Sequence, residues 1–224
     1  MLFIGLIVMA VSAFVSYRLK SKFREYSQIG LSNNMSGKEV AEKMLRDNQI
    51  FDVKVIQVDG QLTDHYNPED KTVNLSYDVY AGRSVASAAV ASHECGHAVQ
   101  HATAYSMLAF RSSMVPILSI TSKYMQWIIL IGAMAINYSI IPLAVGVVLF
   151  AFTTIFSLIT LPVEYDASNR ALAWIKTKNI VNDREYDYAA DSLKWAARTY
   201  LVAAIGSIAQ LLYLLGMLGG RNDD

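Results

Sequence analysis

The sequence predicts a mainly α, polytopic membrane protein with about four transmembrane helices and a small α+β cytoplasmic element. Three observations carry the prediction. Of 224 residues, 54% are hydrophobic and only 17% charged, whereas roughly a quarter of an ordinary soluble domain is charged. The apolar residues gather into long uncharged runs of membrane-spanning length. Short two-residue alternation is confined to a polar region between residues 52 and 76. The 19 basic and 19 acidic side chains cancel and form no basic block, which argues against nucleic acid as a partner. So oily a chain is not intrinsically disordered. The single cysteine, Cys95, cannot form an internal disulfide.

Residues 2–17 are uncharged and are followed at once by Arg18, Lys20, Lys22 and Arg24. A cleaved signal peptide, with Val11-Ser12-Ala13 as its processing site, would carry positive charge before the apolar run, not after it. Residues 1–17 therefore read as a transmembrane anchor with the basic cluster in the cytoplasm. A cytoplasmic region, 18–113, comes next. Ser36-Gly37-Lys38-Glu39 is a capping box opening a helix of about a dozen residues with Val40, Met44 and Leu45 on one face. Two alternating segments, 52–58 and 71–76, read as strands, and Asn67-Pro68-Glu69-Asp70 between them as a turn. An exposed strand edge there could pair with an extended peptide. Ser84 opens a further helix, from Val85 to about Tyr105.

Residues 125–163 contain no charge. A single helix of that length would be about twice the bilayer thickness, so residues 114–161 read as two spans joined near Asn137. Pro162 then starts a new helix, with Glu164 in its first turn near the positive end of the dipole. A second cytoplasmic helical region, 162–198, carries six basic residues, and residues 199–220 form the last span.

His93-Glu94-Cys95-Gly96-His97 is the chemical signal, an H-E-x-x-H pattern within the predicted helix 85–105. Residues four apart share a helix face, so both imidazoles can ligate one Zn²⁺ with Glu94 near the open coordination position, a zincin-like active-site helix. Cys95 points away from that face and packs. His101 lies eight residues beyond His93, about 12 Å along the axis, too far to share the ion; it reads as a group supporting the ligands or as a membrane-interface residue. A carboxylate is the better third ligand, and two crossings return Glu164 to the side where the motif lies.

These residues resemble the YugP-type neutral zinc metallopeptidases of bacterial membranes, within the gluzincin group. The likeness runs through Asp64-His65-Tyr66-Asn67-Pro68, Val79-Tyr80, Ser92-His93-Glu94-Cys95-Gly96-His97-Ala98 and Leu161-Pro162-Val163-Glu164-Tyr165-Asp166-Ala167-Ser168. The resemblance implies one zinc per chain on His93, His97 and Glu164, with Glu94 as base, in a multi-pass protein of the bacterial plasma membrane whose active site faces the cytoplasm. The chain is also similar to HtpX- and CAAX-type membrane proteases, which place an Asp four residues after the ligand Glu; here that position is Ser168 and the acid is Asp166.

The expected function is a zinc metalloendopeptidase cutting protein or peptide substrates, with the bilayer as its other partner. Oxyanion donors would come from His65, Tyr165 or Arg170. Two other classes compete: an intramembrane site-2-type protease, and a non-catalytic metal-binding scaffold, which would have no need of Glu94. The charge distribution puts residues 34 and 178 in the cytoplasm and 138 outside. In a Cys95→Ala background, Tyr138→Cys should react with an impermeant thiol reagent in intact cells, while Asn34→Cys and Lys178→Cys stay shielded.

Overall fold

The computed structural model describes residues 2–220, with side chains from residue 5 onward. Among these are seven helices and three strands: α1 (Leu2–Ser27), α2 (Gly37–Asp47), β1 (Lys54–Val58), β2 (His65–Asn67), β3 (Thr72–Ser76), α3 (Tyr77–Tyr80), α4 (Val85–Ala102), α5 (Ser106–Met134), α6 (Ile141–Thr177) and α7 (Asp183–Gly219).

The polar lobe forms as its local signals dictate. Ser36 accepts from Glu39 N while the Glu39 carboxylate accepts from Ser36 N, so the capping box closes at the start of α2. Val40, Ala41, Met44 and Leu45 then bury one face of α2, chiefly against α4. The sheet has the order β1-β3-β2, with β1 parallel and β2 antiparallel to β3. Central β3 buries Val73 and Leu75 completely. The segment around Asn67 is thus partly strand: β2 ends at Asn67, and only Pro68–Asp70 turn.

α5, α6 and α7 are long and apolar enough to cross a membrane. Helices of 37 residues rise about 55 Å, far more than the roughly 30 Å of a hydrocarbon core, so α6 and α7 must project well beyond one. Residues 2–17 of the expected 1–17 anchor are helical, within α1, which is not among the candidate spans found in the described residues; side chains 1–4 lie outside those residues.

One local expectation is overturned. Pro162 does not start a helix; it sits inside α6, which runs unbroken from Ile141 to Thr177. Proline forfeits one backbone hydrogen bond, a loss that long helices tolerate when neighbours pack on both sides of the break. Here α5 and α7 flank α6, and α4 packs on it as well. Glu164 is therefore a mid-helix residue, and no helix N-terminus stabilises its charge. α5, the helix in which the expected 114–161 pair begins, starts at Ser106.

α4 and α6 meet with backbones nearly touching. A Cβ built on Gly96 would stand 2.5 Å from the Ala167 carbonyl oxygen. Only glycine permits this approach, and it brings the face carrying His93 and His97 against the turn carrying Glu164. Gly96→Ala should therefore destabilise the fold by about 1–3 kcal/mol through overpacking and lower bound zinc. Thermal unfolding and metal analysis of the purified variant check both.

Candidate active site

His93 and His97 come from α4, and Glu164 comes from α6. Their ligating atoms all lie within 4.8 Å of one another. The Glu164 Oε2 stands 3.2 Å from His93 Nε2 and 3.5 Å from His97 Nε2. Ligand atoms at the corners of a tetrahedral zinc site, with bonds near 2.0 Å, are separated by about 3.3 Å, so the spacing fits such an ion.

The hydrogen bonds behind the imidazoles sharpen this fit. Gln100 is fully buried. Its Nε2 donates to the Val163 carbonyl and to Asp166 Oδ2, each at 2.8 Å. Two acceptors at the nitrogen fix the amide orientation and leave Oε1, 2.9 Å from His97 Nδ1, as an acceptor. His97 Nδ1 must then carry the proton, and the Nε2 lone pair of the neutral ring faces the Glu164 carboxylate. In the neutral ring two electron-rich atoms face each other, a relation that either a proton on Nε2 or a metal ion relieves. Burial pulls the His97 pKa down, and the adjoining carboxylate more than offsets it, so the ring stands above its ordinary value. On the other side, Ser168 Oγ lies 3.1 Å from His93 Nδ1. Both Nδ1 atoms are occupied, and both Nε2 atoms converge on one point, the arrangement typical of metal-ligating histidines.

Glu164 is 2% exposed, and Arg111 of α5 reaches its other oxygen, Oε1, at 3.0 Å. Glu94 is also buried, and its carboxylate makes no hydrogen bond among the described residues. Burial pushes its pKa up, partly countered by His93 and His97, while the charges of Glu164 and Asp64 push the same way as burial. Glu94 lines a cleft of about 390 Å³ whose floor holds His93, His97 and Glu164. One wall is β2 with the turn after it; the other is the start of α5, with Tyr200 of α7 alongside.

The remaining candidates separate. His65 lines the cleft, with its Nδ1 2.7 Å from the Thr63 carbonyl. Tyr165 is 41% exposed and does not line it. Arg170 is engaged with Asp166, Nε to Oδ2 at 2.6 Å. His101 Nδ1 pairs with the Tyr66 hydroxyl at 2.7 Å, tying β2 to the end of α4 away from the ligands. Cys95 is buried against α2, its Sγ 3.5 Å from the Ala41 carbonyl.

Sequence reasoning missed Gln100, Arg111 and Tyr200. Gln100 lies one helical turn beyond His97, a spacing that could have marked it. Arg111 and Tyr200 have no local signal, because α5 and α7 reach the site only through the tertiary fold. Gln100→Ala should weaken zinc affinity about 10- to 100-fold, the usual loss when a group orienting a metal ligand is removed, and Gln100→Glu, which sets a buried carboxylate against Asp166 and the Val163 carbonyl, should lose at least as much. Competition with a chelating indicator measures both.

The model of the family described as "Putative neutral zinc metallopeptidase" matches residues 1–219. The chain is 38% identical over 227 residues to the "Putative membrane protease YugP" of Bacillus subtilis (strain 168), and the match covers the whole of both. No solved structure matches it. With a family match along nearly its whole length, the chain belongs to the family described as "Putative neutral zinc metallopeptidase", and its two histidines and glutamate stand where they could hold a metal ion.

Proposed function

We propose that this protein is a membrane-embedded zinc metalloendopeptidase that hydrolyses protein or peptide substrates at the cytoplasmic face of a bacterial plasma membrane. The convergence of His93 Nε2, His97 Nε2 and Glu164 Oε2 beside the otherwise uncommitted carboxylate of Glu94 supports this reading best. One zinc per chain, held by these three residues, would supply a Lewis acid that polarises the scissile carbonyl and acidifies the attacking water.

The protein's own groups do the rest. Glu94 takes the water's proton and delivers it to the leaving amine. Its desolvated position favours the neutral form and so strengthens it as the base of the first transfer. Gln100 holds His97 in one tautomer, and Ser168 steadies His93. Arg111 balances the charge of Glu164. His65, Arg111 and Tyr200 are donors lining the cleft from which an oxyanion could draw a hydrogen bond; Tyr165 and Arg170, which do not line it, are not used.

Four crossings, with both termini outside and the regions 18–113 and 162–198 in the cytoplasm, complete the reading. An even number of crossings must separate His97 from Glu164, and the α5–α6 hairpin provides two. A site-2-type arrangement would place the motif helix within the bilayer; the packing of α4 against α2 of the polar lobe supports a site outside it.

Glu94→Gln preserves size but cannot accept the proton, so zinc content should stay near wild type while peptide hydrolysis falls by at least about 10²-fold. His93→Ala should lose the metal. Wild-type turnover by Glu94→Gln, or stoichiometric zinc in a His93→Ala, His97→Ala double variant, would overturn the assignment.

A further inference from the structure

The two walls of the cleft differ in chemistry. Leu108, Arg111, Ser112 and Val115 line one side, at helical spacing within the first three turns of α5. The same helix continues as an apolar candidate span, and beside the cleft it shows apolar side chains outward: Phe110 is 52% and Ile117 58% exposed. This wall is therefore the start of a helix long and apolar enough to cross a membrane, and in the topology proposed above the cleft opens where that helix meets the bilayer. Opposite lies the β2–β3 turn, where the exposed Glu69 lines the cleft and its carboxylate has no partner among the described residues. Glu94 itself is only 8% exposed at the bottom, so an extended stretch of chain reaches it and a folded surface does not.

A segment that is apolar on one side and basic on the other matches this asymmetry. Such segments occur where a membrane-spanning chain leaves the bilayer into the cytoplasm, because Lys and Arg are enriched at that end; Arg18, Lys20, Lys22 and Arg24 of this protein, directly after its own first apolar run, are an instance. Resting on the peptidase reading above, we propose that the substrate is the cytoplasmic juxtamembrane segment of another membrane-spanning chain, its apolar end against Leu108 and Val115 and its basic residues toward Glu69.

The test uses the full-length zinc-loaded protein in lipid nanodiscs with synthetic single-span substrates. Each substrate has a 20-residue Leu-rich segment followed by a Lys/Arg-rich or an Asp/Glu-rich tail, with zero, ten or twenty Gly/Ser residues inserted between. An unfolded soluble chain is the comparison, and Glu94→Gln the control. Mass spectrometry locates the cuts. The expected result is Glu94-dependent cleavage at a fixed distance from the apolar end whatever the spacer. Without a spacer, the basic tail should be preferred about three- to tenfold in kcat/KM, as one exposed charge contact switched from attraction to repulsion allows. Glu69→Lys should reverse the preference at unchanged zinc content. Cuts that follow the tail sequence away from the membrane, or a charge preference unmoved in Glu69→Lys, overturn the proposal. If the soluble chain is cut in a Glu94-dependent way and as efficiently as the tethered substrates, the proposal falls while the peptidase reading stands; if no substrate is cut, both fall.

Discussion

A carboxylate sealed from water has to be neutralised where it stands, and the architecture around Glu164 answers that demand. An unpaired buried charge costs several kcal/mol. Glu164 is nearly inaccessible on a long apolar helix, yet each of its oxygens meets positive or polarisable groups: Arg111 at Oε1, the two imidazoles at Oε2. Meeting the imidazoles requires α4 to lie almost in backbone contact with α6, which Gly96 allows. Meeting Arg111 requires the start of α5 to fold back beside the same turn. The His-His-Glu cluster and the helix packing are thus one problem with one solution.

That solution joins the polar lobe to the bundle of long apolar helices. The buried core of the lobe runs from α2 and β3 through α4 into Ala171 and Ile175 of α6. A second small apolar cluster, around Leu143, Val147 and Leu214, lies toward the opposite ends of α6 and α7. At the junction, Arg18 and Arg198 both sit over the Trp195 ring, 5.2 and 4.1 Å from its centroid, and Tyr26 donates to Asp191 at 2.6 Å. These contacts pin α1 to α7. Glu185, buried at the start of α7, caps its own helix and also accepts from the backbone and hydroxyl of Ser32. A helix that crosses the apolar zone is therefore fixed to the lobe at its projecting end, so the position of the site relative to the bundle is set by side chains and not by flexible linkers.

What could be read from the sequence follows from the range of the forces involved. The α2 capping box is local, and it forms as Ser36 and Glu39 specify. The pairing of His93 with His97 depends only on helix pitch, and it too forms. Pro162 misled because its signal is ambiguous: it favours a first helical turn in water, yet a long apolar helix flanked by α5 and α7 passes through it. Strand β2 is three residues long and runs into Asn67-Pro68, so turn chemistry masked its pairing with β3. Arg111 and Gln100 escaped notice for different reasons. Arg111 meets its partner 53 positions away only through the α5–α6 hairpin, whereas Gln100 looks like an unremarkable polar residue until Val163 and Asp166 fix its amide.

Ser168 in place of an acid also finds its physical explanation here. A carboxylate at that position would press a second buried negative charge against His93, close to Glu164 and Glu94. The chain places the acid at Asp166 instead, where Arg170 neutralises it at 2.6 Å and the neutral amide of Gln100 transmits its influence to His97. The imidazole is still oriented, but the orienting charge is kept at one remove and compensated locally. In the zinc-bound form proposed above, Glu164 and Glu94 are then the negative groups closest to the metal, and Arg111 offsets one of them. A dication in so dry a site keeps much of its positive charge, which is what polarising a carbonyl and acidifying a water both require.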